Sequence, residues 1–349
     1  MGDLSHQLPQ QPDRPAVQQA KDIRPRRARW PEARHYAALD LGTNNCRLLI
    51  ARPQGPGFAV IDAFSRIVRL GEGLAASGRL SDAAIDRTLA ALRICADKLR
   101  RRNVTLARSV ATEACRRAAN GPEFIARVRE ETGIRLDIIS AEEEARLAVL
   151  GCHALLEPGD GPAMVFDIGG GSTELVLIDT HGTVPSVIDW HSAPWGVVSL
   201  TEAAAASARC GESLATHYAR MRAMVAESFA PFARRLDPPR GGVPRLLGTS
   251  GTVTTLASVH LGLSSYDRSA IDGLIVPTQA MRDVSARLAG LAIADRARVP
   301  CIGQERADLV VAGCAILESI LDIWPAERIG IADRGIREGI LRRLMQAGT

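Results

Sequence analysis

The chain has 349 residues and 46% hydrophobic content, enough for two domains that each bury a core. Its formal charge of +4 is concentrated at the start, where seven basic residues stand against four acidic ones in the first 34, so the remainder is nearly neutral and a broad nucleic-acid footprint is not expected. No apolar stretch is long enough to span a bilayer, and Lys21 and Lys98 are the only lysines, which leaves a lysine-based phosphate loop or Schiff base almost without candidates.

Residues 1–34, rich in Pro, Gln and Arg, read as a disordered tail. The run from Arg24 to Arg29 could touch nucleic acid or a membrane; a solvated leader is the preferred reading, and no apolar core of a secretory signal accompanies it. Residues 36–50 and 58–67 alternate short apolar runs with Gly and Pro turns, as strands do. A helix over 81–102 is capped by Ser81 or Asp82, followed by a strand at 107–111, a helix at 122–132 and a strand at 136–139. Ser140 and Glu143 form a capping box for a helix over 141–156, which is apolar on nearly every face after Arg146 and should lie buried between layers.

Residues 164–178 form a hairpin, 200–236 one or two helices, and 238–244 a surface loop. A strand at 245–248 feeds a helix at 251–261. Further helices cover 277–287, 292–299 and 308–323, and a last strand at 329–332 precedes a helix over 335–345. Strands mixed with crossover helices predict an α/β architecture with a ligand cleft at the carboxyl ends of strands. The seven cysteines (46, 95, 115, 152, 210, 301 and 314) form no C-x-x-C pair and read as reduced, buried thiols of a cytoplasmic protein. The seven histidines show no metal-ligand spacing, so no zinc site is expected.

The most informative feature is a repeat. With Asp40 laid on Asp167, Gly42 falls on Gly169 and Leu48 on Leu175 without a gap. Each copy is an apolar strand, an Asp, a Gly-containing turn and a second apolar strand. Glycine at such a turn is expected to supply positive φ and to let an anion approach backbone N–H groups. Two copies suggest a duplicated domain that grips phosphate from both sides, through Gly42, Thr43, Asn44 and Asn45 in one turn and Gly169, Gly170, Gly171, Ser172 and Thr173 in the other. Asp167 and Glu174 flank the second turn and are candidates to hold Mg²⁺.

Gly248, Thr249, Ser250, Gly251 and Thr252 follow a strand and open a helix, a further anion cradle. Arg116 is placed to grip a phosphate in bidentate fashion, while Glu113 fits a helix-start carboxylate better than a catalytic one. In the triplet Glu142, Glu143 and Glu144, only Glu144 starts the buried face. It suits either a general base toward water or a structural salt bridge with Arg146 or Arg116. Asp333 and Arg334 are candidates to reach the cleft, with Arg337 and Glu338 paired structurally.

These segments resemble the exopolyphosphatase / guanosine pentaphosphate phosphohydrolase family. The likeness rests on the runs 40–45, 111–116, 139–146, 167–174, 248–252 and 333–339, in family order from about Tyr36 onward. The resemblance implies the actin-like ATPase fold, two ribonuclease-H-like domains with an interdomain cleft: domain I at 35–140, domain II at 141–330, and a C-terminal helix at 331–349 returning to domain I. It implies Glu144 as catalytic base, Asp167 and Glu174 as Mg²⁺- and water-positioning carboxylates, and Arg116 with the Gly loops as phosphate binders. Longer members carry a further helical domain resembling metal-dependent phosphohydrolases; no His-Asp dipeptide occurs here, as expected of a short, two-domain form.

The leading expectation is a Mg²⁺-dependent hydrolase of inorganic polyphosphate. Guanosine pentaphosphate 5′-phosphohydrolase is the first alternative. An actin-like-fold phosphotransferase and a nucleotide-dependent switch are further ones. No membrane or nucleic-acid partner is expected, and a homodimer is left open.

Overall fold

The computed structural model describes residues 34–182, 185–236 and 244–347. The basic tail and nearly all of the 238–244 loop lie outside the described residues. The first sheet contains β1 (His35–Leu41), β2 (Asn45–Gln54), β3 (Gly57–Ile67), β4 (Val104–Ala111) and β5 (Leu136–Ile138), in the order β3-β2-β1-β4-β5. The first three strands pair antiparallel, and β4 and β5 add in parallel.

The second sheet contains β6 (Ala163–Ile168), β7 (Thr173–Asp179), β8 (Ser186–Ala193), β9 (Arg245–Thr249), β10 (Ile275–Pro277) and β11 (Arg328–Ala332), in the order β10-β11-β9-β6-β7-β8. Again three antiparallel strands, β8-β7-β6, are followed by parallel β9 and β11, with β10 added antiparallel at the edge. This is the ribonuclease-H-like strand order built twice, the duplicated α/β plan of an actin-like fold. The sequence repeat is carried into register: Asp40 lies opposite Arg47 on β1–β2, and Asp167 lies opposite Glu174 on β6–β7.

Local signals explain most elements. The helix Asp82–Arg101 starts where the Ser81 hydroxyl accepts from the Ala84 N–H, and its face of Ile85, Leu89, Leu92 and Ala96 packs with Leu39, Leu41 and Leu48. The helix Ala141–Cys152 starts at Ser140, which accepts from the Glu143 N–H at 3.1 Å. The reciprocal half of that capping box is absent, because the Glu143 carboxylate pairs with Arg108 and Arg343 instead.

As expected, this helix is buried between layers. Leu147 and Ala148 pack with Tyr36, Ala38 and Ile340, while Ala145, Val149 and Cys152 pack with Val165, Val176 and Leu247. The helix Ile336–Ala347 crosses it so closely that a Cβ at Gly339 would stand 2.1 Å from the Leu147 carbonyl oxygen.

Some boundaries differ from the sequence reading. The 141–156 helix ends at Cys152 in a 3₁₀ turn, the 200–236 region is two helices, Val197–Ala206 and Leu214–Ala233, and β8 and β10 had no separate signal. All seven cysteines are free thiols, but Cys210 is exposed and Cys301 half-buried, so the expectation of uniform burial fails at two positions. Among the described residues no helix is long and apolar enough to cross a membrane.

Candidate active site

The tips of the two repeated hairpins meet. In the first, the Gly42 N–H donates to the Asn45 carbonyl at 2.9 Å; in the second, the Gly169 N–H donates to the Ser172 carbonyl at 3.0 Å. None of Gly42, Gly169, Gly170 and Gly171 is among the positive-φ residues, so the expected reason for these glycines is corrected. Closeness is the reason instead. A Cβ at Gly170 would stand 2.9 Å from Asn44 N and 3.0 Å from Thr43 Cβ, and one at Gly171 would stand 2.5 Å from Thr43 Oγ1. Gly42 is the exception, with only the Asn45 carbonyl oxygen at 3.6 Å. Gly42→Ala should therefore melt within a few degrees of wild type; a large loss in thermal unfolding would contradict this reading.

Between the tips lies a cleft with about 920 Å³ of empty space, part of it open to solvent. Gly42, Thr43, Asn44 and Asn45 form one wall, and Asp167 with Gly169, Gly170, Gly171 and Ser172 the other. Ser250, Gly251 and Thr252 contribute from the start of the helix Gly251–His260, and Glu144 and Glu113 also line the space. Arg116, Thr173, Glu174, Gly248 and Thr249, also predicted, do not line it. Thr173 donates to the Trp195 carbonyl, Thr249 donates to the Arg334 carbonyl, and Gly248 packs on Phe166. These three serve the walls rather than the cavity. Ser250 adopts φ 87, ψ 176, a region nearly reserved for glycine, at a cost of about 1–3 kcal/mol that the surrounding structure must enforce.

Asp40 Oδ1, Thr43 Oγ1 and Asn44 Oδ1 are buried without a hydrogen-bond partner. Three orphaned polar atoms in one wall are costly unless a ligand supplies the missing partners. Arg47 also lines the cleft, its Nη2 3.1 Å from where a Gly251 Cβ would stand, and it makes no ion pair among the described residues. Arg306 lines the same space and donates to Thr255 Oγ1 at 2.6 Å.

Four carboxyl groups surround this cavity, Glu144 and Glu174 buried and Asp40 and Asp167 half-buried. Burial pushes Asp167 up to about 6, helped by the Asp40 charge and opposed by Arg47. Burial pushes Glu174 up to about 7, with Asp167 adding to the rise. Glu144 is held well above the usual carboxylate range by burial and the Glu174 charge, which together outweigh Arg116. Burial also raises Asp40, against the opposing fields of Arg47 and Arg337. Such groups suit proton transfer or the holding of a cation.

Arg116 is fully engaged. Its Nη1 donates to Glu144 Oε2 at 2.7 Å and to the Ile139 carbonyl at 2.9 Å, while Nε and Nη2 both reach Glu113 Oε2. Of the two salt bridges open to Glu144, the one with Arg116 is formed; Arg146 pairs with Glu142. Glu174 is buried with one oxygen held by the Ser192 hydroxyl. Asp333 pairs with Arg268 and Arg334 with Asp272, so neither reaches the cleft, whereas half-buried Arg337 pairs with Glu338 at 3.9 Å, as expected, and lies within the field of Asp40.

Sequence reasoning missed Asp40, Arg47 and Arg306 as site residues. The repeat held the first two, since the register that equates Asp40 with Asp167 also equates Arg47 with Glu174. Arg306 lies in no motif and arrives through tertiary packing.

The profile of the Ppx/GppA phosphatase family matches residues 49–347. The chain is 35% identical to exopolyphosphatase 2 of Mycobacterium tuberculosis over 297 residues, covering 81% of this chain and 89% of that one. It is 30% identical to the guanosine-5′-triphosphate,3′-diphosphate pyrophosphatase of Aeromonas salmonicida, covering 89% of this chain but 59% of that longer protein. The crystal structure of the Aquifex aeolicus Ppx/GppA family member superposes with a TM-score of 0.73 at 27% identity, over 90% of this chain and 99% of that one. With the duplicated fold, the abutting glycine turns and the carboxyl groups around the cleft, these matches establish that the chain belongs to the Ppx/GppA phosphatase family.

Proposed function

We propose that this chain is an exopolyphosphatase that hydrolyses the terminal anhydride of linear inorganic polyphosphate. The carrying observation is the cleft itself, where a buried carboxylate of raised basicity, Glu144, shares one space with two Gly turns and the orphaned Thr43 and Asn44 groups. Glu144 takes a proton from water as its oxygen attacks the terminal phosphorus, the bridging P–O bond breaks, and the chain leaves one phosphate shorter. Arg47, Arg306 and the turn N–H groups face the charge on the transferred phosphoryl group. Arg116 holds Glu144 in place through its 2.7 Å bond rather than gripping phosphate directly.

Asp167 and Glu174, with Asp40 beside them, offer acid oxygens for Mg²⁺. The orphaned Asp40 Oδ1 fits that donor role. Among the described residues no three His, Cys, Asp or Glu side chains form a ready cage, and Mg²⁺ commonly takes one or two carboxylates and completes its shell with water and substrate phosphates. The ion would supply neutralisation of phosphate charge.

Protons compete for those oxygens. With Asp167 at about 6 and Glu174 at about 7, the folded chain keeps protons that the unfolded chain has released. Their contribution to stability therefore falls as pH rises from about 4 to about 7, and bound Mg²⁺ restores it. The Mg²⁺-induced rise in melting temperature should be larger at about pH 8 than at about pH 5.5. A pH-independent rise would contradict the assignment.

The Aeromonas likeness keeps guanosine pentaphosphate as the rival substrate. None of the turns carries an aromatic platform of the kind that stacks a base for about 1–3 kcal/mol. Polyphosphate should accordingly show the higher kcat/KM in steady-state phosphate release at equal Mg²⁺. A tenfold or greater advantage for the guanosine nucleotide would replace the substrate reading.

A further inference from the structure

The segment after β3 takes no part in the chemistry above, yet it joins both sides of the cleft. The Val68 and Arg69 N–H groups converge on the Asn44 carbonyl at 2.8 and 3.0 Å, and the Gly71 N–H reaches the Thr43 carbonyl at 2.9 Å. The segment is thus stitched to the first phosphate turn. Arg69 itself sits at φ 46, a left-handed conformation that a long side chain adopts only where its surroundings impose it.

That conformation accompanies a side chain that reaches the other half. Nη1 and Nη2 grip the Asp308 carboxylate at 3.1 and 3.3 Å, and Nη2 also donates to the Glu305 carbonyl at 3.0 Å. The 305–308 turn held in this way carries Arg306, whose guanidinium lines the cleft. About a third of each side chain in the Arg69–Asp308 pair is exposed, so the pair adds little to stability. A two-point grip plus a carbonyl contact instead fixes geometry.

We infer that Arg69 is a positioning residue: it ties the Thr43–Asn44 turn to the 305–308 turn and so sets the Arg306 guanidinium at its distance from the first phosphate wall. This rests on Arg306 facing substrate in the hydrolase reading, and it adds a coupling between the two halves that runs outside the cleft.

The test uses the full chain carrying Arg69→Ala or Asp308→Asn, each alone and combined with Arg306→Ala. The readouts are steady-state phosphate release, equilibrium binding of linear polyphosphate by calorimetry, and thermal unfolding. Folding should survive, because Arg296 still holds the Ala307 carbonyl at 2.9 Å from the other side. Each single variant should raise KM and the polyphosphate Kd about tenfold with kcat within about twofold, and neither should add to the defect of Arg306→Ala. Arg69→Lys, which keeps the charge without the fork, should fall between wild type and Arg69→Ala. Unchanged KM and Kd in Arg69→Ala, or the same factor persisting on the Arg306→Ala background, would overturn the inference. The binding arm does not depend on turnover, so a chain that binds polyphosphate without cleaving it sinks the hydrolase reading while still deciding this one.

Discussion

Glu144→Gln is expected to lower kcat by about 10²–10⁴ while leaving KM and polyphosphate binding near wild type. The amide keeps the shape of the side chain and one oxygen that can accept from Arg116, so the 2.7 Å contact has a replacement. What it loses is the capacity to take a proton, which in the wild-type chain is enhanced by burial and by the Glu174 charge. The variant should fold, because Glu113 still balances the Arg116 guanidinium and a like charge next to Glu174 has been removed. A phosphate-release rate equal to wild type would move the base elsewhere, and Glu113, which also lines the cleft, would be next to substitute.

Gly170→Val should abolish measurable turnover for a different reason. The hairpin tips touch at this residue: a Cβ would already press on Asn44 N at 2.9 Å and on Thr43 Cβ at 3.0 Å, and the Val methyls extend further. The Gly170 carbonyl also accepts from the Val198 N–H at 2.8 Å, so the second turn cannot simply back away from the first. Overpacking of this kind costs about 1–3 kcal/mol, so melting should fall by several degrees without loss of the fold. The activity loss follows from wedging apart the two turns that, in the proposed mechanism, close on one phosphate. Normal turnover by a folded Gly170→Val protein would show that the tips need not meet.

The contrast between Gly170 and Gly42 shows what the sequence could reveal. The duplicated strand–Asp–Gly–strand pattern disclosed both hairpins and their register, because strand periodicity and Gly placement are local signals. The helix Ala141–Cys152 was likewise announced by Ser140 and by the apolar residues after Arg146. The reason for the glycines was not legible. The φ angles of all four are unexceptional, and the need for Gly170 and Gly171 arises from the opposite hairpin more than a hundred residues away.

The same holds for individual side chains. Arg116 reads equally well as a phosphate clamp or as a partner of Glu144 until Glu113 and the Ile139 carbonyl are seen to occupy it. Arg306 carries no motif, and only tertiary packing brings it beside Thr255. Asp40 and Arg47 were within reach of the repeat, but a basic residue standing where the second copy has Glu174 conceals the equivalence from a search for like residues.

The central claim is hydrolysis by an activated water at a chain end, and isotope incorporation tests it most directly. Linear polyphosphate turned over in ¹⁸O-water with Mg²⁺ and no acceptor should release orthophosphate carrying one solvent oxygen per molecule, with the label absent when Glu144→Gln replaces the wild-type chain at matched times. Phosphate transfer only on addition of an acceptor, or retention of a nucleotide with negligible release, would contradict the account.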